Sequence, residues 1–417
     1  MGTTAELSAV LNRLSDIREW QEELYRNLHS GPELSHHEHD TAEAIVKRLG
    51  NTSFDVHAGV GGTGVVGVLH NGAGPTVLLR ADMDALPIRE ATDLPYASTE
   101  TVVGDGGEIP VMHACGHDVH VTCLLGAAQL LSDGVDNWNG TAVLVFQPAE
   151  ETGDGARSML DDRLTDLVGD VDVALAQHVL PAPAGQVGTR SGPVLSAADS
   201  MRITVHGHGG HGSMPQATID PVVLAAMIVV RLQTVVSREV APAEPAVLTV
   251  GRLTAGSKSN IIPDEAVIEL NVRTYSSSVR DKVLAAISRI VVAECQASGC
   301  PKDPDFELFD RFPATANDAE ATAKVTEAFD AYFGDNAGPL PLQTASEDFS
   351  DIPDALGAPY TYWGIGGIDP EVYQAAEDAG RVSADIPVNH SASFAPVVQP
   401  TLDTGTQALV VAALAWL

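Results

Sequence analysis

Apolar residues recur at helical spacing in residues 5–49, as at Leu7, Val10, Leu11 and Leu14, and a Gly31-Pro32 step interrupts the pattern. This spacing predicts helices. From about residue 54 the pattern changes to short β-rich runs alternating with helical ones: Gly64–Leu69, Thr76–Arg80, Thr141–Phe146 and Val171–Ala176. Such alternation predicts an α/β domain with a mostly parallel sheet. Ala142–Phe146 is almost continuously apolar, which fits a strand buried on both faces.

A second style begins near residue 198. Met201–Gly207 reads as a strand, and a glycine-rich loop follows it. Asp220-Pro221 then supplies an N-cap carboxylate and a proline at the first helical position, predicting a helix to about Ser237. Ala246–Leu253 and Ala266–Tyr275 read as strands and Val279–Ser298 as a helix. The order β-α-β-β-α is most of a ferredoxin-like split βαβ unit. Cys300–Asp305 reads as its exit, and α/β segments resume afterwards with a strand at Tyr360–Trp363. The expected organisation is a discontinuous domain (residues 1–197 and 305–417) interrupted by an inserted one (residues 198–304). No internal repeat or low-complexity tract is visible.

Composition narrows the class. The chain has 417 residues, 44% of them hydrophobic, which is globular rather than disordered composition. Its 23 Lys+Arg against 56 Asp+Glu give a net charge of −33. Nucleic acid and anionic membrane surfaces are therefore poor partners, because binding them needs clustered Lys and Arg. The N-terminal MGTTAELSAVLNRL lacks the basic-then-apolar order of a signal peptide. The most apolar stretches, Val222–Val230 and Leu409–Leu417, fall short of the roughly 20 residues of a membrane span. Four cysteines, Cys115, Cys123, Cys295 and Cys300, are too few for a disulfide framework. A cytoplasmic protein is expected.

The candidate chemistry gathers at strand ends. Thr76–Arg80 leads into Asp82-Met83-Asp84, Thr141–Phe146 into Gln147-Pro148-Ala149-Glu150-Glu151, and Val171–Ala176 into Gln177-His178. In open α/β sheets the binding crevice lies outside the carboxyl ends of the strands. The loop His113-Ala114-Cys115-Gly116-His117-Asp118-Val119-His120 adds thiolate, imidazole and carboxylate donors, a set that Zn²⁺, Mn²⁺ or Ni²⁺ accepts. A helical pattern starts just after it, and a helix N-terminus favours thiolate at Cys115. A lone Glu-Glu pair is ordinarily a solvated charge run, and a lone Asp-x-Asp ordinarily a turn. Their joint placement at strand ends is what points to a metal site. The donors are scattered rather than paired as C-x-x-C knuckles, which disfavours structural zinc.

RADMDALP (80–87), MHACGHDVH (112–120), QPAEE (147–151), Gly-Gly-His-Gly-Ser-Met-Pro (209–215), NIIPD (260–264) and SEDFS (346–350) are long motifs in a fixed order. They resemble closely the di-metal amidohydrolases that include hippurate hydrolase, N-acyl-amino-acid deacylases and indoleacetyl-amino-acid hydrolases. The resemblance runs from about Leu24 to His390. It implies a zinc-carboxypeptidase-like catalytic domain with an inserted ferredoxin-like domain that serves as lid and dimerisation surface. It implies two divalent ions (Zn, Mn, Ni or Co) held by Cys115, His117, Glu151, His178 and His390, with Glu150 as general base. Asp84 matches the acid that orients a ligand, and Asp82 stands where relatives outside this branch carry a metal-binding His. His211 matches a histidine that, in dimeric relatives, reaches the neighbouring subunit's active site. Asn260 matches a substrate-contact position, and Arg273 is a candidate for a substrate carboxylate. The chain departs from the common pattern at His208, Gln216 and Ser391-Ala392, and Gly104–Val111 (GDGGEIPV) looks inserted.

The expected reaction is hydrolysis of an N-acyl or N-aroyl amino acid to a carboxylic acid and a free amino acid by metal-activated water. A homodimer acting on this small molecule is the expected assembly. A dipeptidase or carboxypeptidase on the same scaffold is the alternative, and a non-catalytic binding relative is a more distant one that the intact Glu150-Glu151 pair argues against.

Overall fold

The computed structural model describes residues 4–104 and 106–417. Its contacts divide the chain into two compact units. One comprises residues 4–194, Asn317–Leu342 and Asp348–Leu417, and the other Leu195–Ala316 with Gln343–Glu347.

The first unit is built on an eight-stranded mixed sheet. Four central strands lie side by side and parallel in the order Gly140–Gln147, Thr76–Asp82, Val173–Pro183, Tyr360–Ile368. Gly64–Asn71 and Asp55–Val60 extend one edge antiparallel; Val187–Thr189 and Ala337–Pro339 extend the other. Tyr360–Ile368 is buried throughout and Thr76–Asp82 in all but its first residue, so both faces of the sheet need cover. On one face, His117–Asp133 packs with Val398–Leu414 and Leu14–Ser30. The core these layers enclose includes Leu79, Leu124, Phe146, Trp363 and Leu409.

The sequence places Gln177-His178 beyond its strand. In the structure the strand runs on to Pro183, because Tyr360–Ile368 pairs along its whole length, with Gly364 opposite His178. His178 is thus fixed by sheet hydrogen bonding rather than by a loop. The Gly104–Val111 stretch contributes to an exposed hairpin, Thr101–Gly104 against Gly107–Pro110.

The second unit is a four-stranded antiparallel sheet in the order Ala246–Ala255, Glu265–Thr274, Ala197–His206, Asp305–Phe312. With helices Pro221–Thr234 and Ser277–Ala297 it forms a complete βαββαβ ferredoxin-like unit. The sequence returns residue 305 to the discontinuous domain. Asp305–Phe312 instead pairs with Ala197–His206, so this unit extends to Ala316. The Asp220 carboxylate caps its helix by accepting from Val222 N at 2.9 Å. That helix runs to Thr234 and continues through a π-turn to Glu239, close to the Ser237 end that the sequence predicts. The resulting 19-residue rod is long and apolar enough to cross a bilayer, unlike the shorter run read from sequence. Here Leu224, Ile228 and Leu232 pack it into this unit's core with Ile203, Ile268 and Val283.

Candidate metal centre

Asp82 and Gln147 end two neighbouring parallel strands in direct register, and Asp84, Glu150 and Glu151 follow just beyond them. Gly116 caps the His117–Asp133 helix at φ 89°, and a Cβ there would sit 2.4 Å from Val179 Cγ1. Glycine therefore lets the Cys115–His117 turn lie against the strand that carries His178. Ala149 (φ 51°) and His390 (φ 67°) adopt left-handed backbone immediately before Glu150 and at the candidate ligand itself. Strain of that kind persists where surrounding contacts enforce it, and it clusters at functional sites.

The donor atoms converge. Cys115 Sγ lies 3.3 Å from His178 Nε2, and His390 Nε2 lies 3.3 Å from Glu151 Oε1. His117 Nε2 lies 3.8 Å from Glu150 and 4.0 Å from Glu151, too far for a hydrogen bond to either. Cys115, His117 and His178 form one set of close donors, and Cys115, Glu151 and His390 another sharing the thiolate. His178 Nδ1 donates to the Val179 carbonyl at 2.7 Å, which leaves the Nε2 lone pair for a ligand. Burial, reinforced by His120, drives the His178 pKa well below its ordinary value, so the ring is neutral.

A divalent cation fits this constellation on two grounds. His117 Nε2 and Glu151 Oε1 are buried atoms with no hydrogen-bond partner among the described residues. Four carboxylates, those of Asp82, Asp84, Glu150 and Glu151, also lie within 4.0 Å of the His117 ring nitrogens. Burial opposes a charge on His117, yet Asp82, Asp84 and Glu151 outweigh it and raise its pKa to about 10. The surplus of anions demands a cation.

The supporting contacts explain how the donors are held. Asp84 accepts from His117 Nδ1, Ser35 Oγ and the Glu151 backbone N–H at 3.2, 2.6 and 3.0 Å, so it orients two candidate ligands at once. Val179 N–H donates to His120 Nε2 at 2.9 Å, so His120 carries its proton on Nδ1 and donates it to Asp82. Both nitrogens of His120 are committed, and it ties Asp82 to the His178 strand. Asn389 Nδ2 donates to the carbonyls of Cys115 and Val179 at 3.0 and 3.1 Å, joining three ligand-bearing segments. Glu38 accepts from the Ala149 backbone N–H at 2.8 Å and from Thr63 at 2.6 Å. From sequence, His120 counts only as one of the imidazole donors of the His113–His120 loop, and Asn389, Ser35 and Glu38 have no role. Only His120 (in the MHACGHDVH run) and Asn389 (beside His390) carried a positional hint.

His29 is held between Asp118 (2.7 Å) and Glu90 (3.1 Å) in the fully buried shell next to His117. Burial disfavours its charge, but the two carboxylates prevail and raise its pKa from 6.5 to about 10. A raised pKa in the folded state gives stability that is complete below about 6.5 and is lost as pH rises toward about 10. Thermal melts from pH 6 to 10 are therefore expected to fall more steeply for the wild type than for His29→Gln. Parallel curves would remove His29 from this role.

The remaining candidates lie in the second unit. His211 and Asn260 come together on a short ladder: Gly212 N–H donates to the Asn260 carbonyl at 2.9 Å, and His211 pairs with Ile261. Both side chains are exposed, and His211 Nδ1 lies 2.8 Å from Ser213 Oγ. Arg273 stands on a sheet strand, with its guanidinium donating to Asn271 Oδ1 at 2.8 Å and Ser346 Oγ at 2.7 Å. Burial lowers its pKa.

A parallel-centred α/β sheet carrying thiolate, imidazole and carboxylate donors at its strand ends defines a metal-dependent hydrolase of amide bonds. The chain belongs to peptidase family M20/M25/M40, whose profile matches residues 78–388. It is 38% identical to thermostable carboxypeptidase 2 of Saccharolobus solfataricus, over 75% of this chain and 78% of that protein. It is 37% identical to the hippurate hydrolase of Campylobacter jejuni, over 81% of this chain and 87% of the relative. A dinuclear metal-binding peptidase of the M20 family from Bacillus subtilis superposes with a TM-score of 0.76 at 27% identity, covering 97% of this chain and 100% of that one.

Proposed function

We propose that this chain hydrolyses the amide bond of an N-acyl or N-aroyl amino acid at a centre of two divalent ions held by Cys115, His117, Glu151, His178 and His390. The observation that carries this reading is the convergence of two donor sets on a shared thiolate, with a buried carboxylate, Glu150, beside them. Bound divalent ions supply Lewis-acid polarisation of the scissile carbonyl and make water acidic near neutral pH. Glu150 takes the proton from that water and delivers it to the departing amine. Asp84 holds His117 and the Glu151 backbone in place for this chemistry. On the resemblance, His211 reaches the active site of a neighbouring subunit, where its imidazole would stabilise the oxyanion, and Asn260 contacts substrate, with Arg273 assigned to the substrate carboxylate. His211 presents an exposed imidazole suited to such a role.

The likeness to hippurate hydrolase supports an acyl-amino-acid substrate, and the carboxypeptidase relative supports a peptide. A panel of N-benzoyl, N-acetyl and indoleacetyl amino acids beside plain dipeptides, run with Zn²⁺, Mn²⁺, Co²⁺ and Ni²⁺, decides between them. Faster cleavage of dipeptides than of every acyl amino acid would establish the peptidase reading. Cys115→Ala is expected to lose about one of the two ions by elemental analysis, because its thiolate belongs to both donor sets. Full occupancy in that variant would remove Cys115 from the ligands.

We assign the working state as a cytoplasmic homodimer joined through the second unit. An exposed apolar stripe on its Pro221–Thr234 helix supports the assembly: Val223 (60% exposed), Met227 (56%) and Val230 (69%) recur at helical spacing. The sparse cysteines support the compartment.

A further inference from the structure

The Ser277–Ala297 helix of the second unit ends in a specific hydrogen-bonded motif. Ser298 is its C-cap, and Gly299 follows in left-handed conformation at φ 71°. Gly299 N–H donates to the Gln296 carbonyl at 3.1 Å, and Cys300 N–H donates to the Cys295 carbonyl at 3.0 Å. These are the paired 5→2 and 6→1 bonds of a Schellman motif, whose two flanking residues ordinarily make an apolar contact. Here both flanking residues are cysteines.

The geometry suits a covalent link. A 3.0 Å bond from the amide of Cys300 to the carbonyl of Cys295 caps their Cα separation at about 7 Å. Because that linkage bends at both ends, the separation falls within the roughly 4.4–6.8 Å that a disulfide spans. The side chains share one environment: Cys295 is a buried member of the unit's core, and Cys300 is partly buried and packs against that core. Burial, together with the neighbouring Cys300 thiol, pushes the Cys295 thiol up to about 12. Cys300, the more accessible thiol, is then the one that meets an oxidant first. The two other cysteines are placed differently. Cys115 belongs to the candidate metal centre, and Cys123 is fully buried, its thiol likewise pushed up to about 12 by burial.

We propose that Cys295 and Cys300 are a redox modification site: a reversible intrachain disulfide that staples the C-terminal end of this helix when the protein meets a small-molecule disulfide such as oxidised glutathione. The Cys300 thiolate attacks one sulfur of the oxidant, forming a mixed disulfide and releasing one reduced thiol. The Cys295 thiol then gives up its proton and attacks Cys300 Sγ, forming the intrachain bond and releasing the second reduced thiol. Two protein thiols are oxidised and one disulfide is reduced, so electrons and protons balance. In a reducing compartment the pair rests as thiols.

The test uses the full-length, metal-loaded enzyme equilibrated anaerobically in glutathione buffers of graded ratio, then alkylated under denaturing conditions, digested without reduction and mapped by mass spectrometry. The expected product is one intrachain Cys295–Cys300 link, lighter than the dithiol by about 2 Da for the two hydrogens lost, and reversed by dithiothreitol. Cys300→Ser, a change at the partly exposed position, should yield no intrachain link. Stable glutathione on Cys300 with Cys295 still alkylatable would overturn the proposal. So would a link between chains, or a pair that stays reduced at the most oxidising ratio.

Discussion

Glu150→Gln is expected to keep its full metal complement while kcat falls by about 10²–10⁴-fold, the range that a positioned general acid–base contributes. The substitution is close to isosteric, so a side chain that is 6% exposed leaves no cavity behind. Glu150 approaches His117 Nε2 at 3.8 Å without bonding it, whereas the next residue, Glu151, lies 3.3 Å from His390. Left-handed backbone at Ala149, with its N–H donating to Glu38, sends the two successive carboxylates to different tasks. If Glu150 moves only the proton, KM is largely unchanged, because the loss falls on the transition state and not on substrate binding. Glu151→Gln should give the opposite pattern, with metal lost before any question of turnover. Elemental analysis and steady-state kinetics on both variants separate the roles. Metal loss in Glu150→Gln would make Glu150 a ligand, and unchanged kcat would place the base elsewhere.

The alternation of short β runs and helical segments was sufficient to read the parallel-centred sheet, because strands buried on both faces must be nearly all apolar, as Ala142–Phe146 is. Cys115, His117, Glu151 and His178 stand out in the sequence as donor types in one dense loop or beyond β runs, whereas His390 enters as a ligand candidate only through the family resemblance. What supports them was not legible. His120 looks like a ligand in sequence, being a histidine three residues after another, and its commitment to Asp82 and Val179 appears only when distant strands meet. Asn389 binds carbonyls 274 and 210 residues away, and no local pattern encodes such a pairing. The end of the second unit shows the same limit: Asp305–Phe312 is mostly exposed, with four charged residues in eight, and its hydrogen bonds to Ala197–His206, about a hundred residues earlier, are what tie it to this sheet. Local physics thus reveals elements and donor types, whereas long-range hydrogen bonds decide which donors stay free.

Arg80→Met is expected to destabilise the first unit by about 3–5 kcal/mol, the cost of removing one partner from a buried ion pair. Arg80 is 1% exposed on the central Thr76–Asp82 strand. Its guanidinium donates to Asp82 at 2.6 Å, Gln147 at 2.9 Å and Asp348 at 3.4 Å. Burial alone would raise the Asp82 carboxyl, but Arg80, followed by His117 and His120, holds it well below the usual carboxylate range. Without the guanidinium, Asp82 and Asp348 would be two buried anions with one fewer cation between them, and Met offers volume but no charge. The damage should reach the metal centre along a traceable route, since Asp82 fixes His120, His120 accepts from Val179, and Val179 adjoins His178. Asp348 also accepts from Gln147 at 2.6 Å and from the Ala156 backbone at 3.0 Å, anchoring the segment that follows Glu151. Arg80→Lys keeps the charge but loses the planar fork that reaches several partners at once, so it should recover only part of the loss. Denaturant titration with metal affinity measured in parallel checks both consequences. A fully stable Arg80→Met protein that binds metal normally would show the Asp82–His120 relay to be dispensable, leaving the sheet alone to position His178.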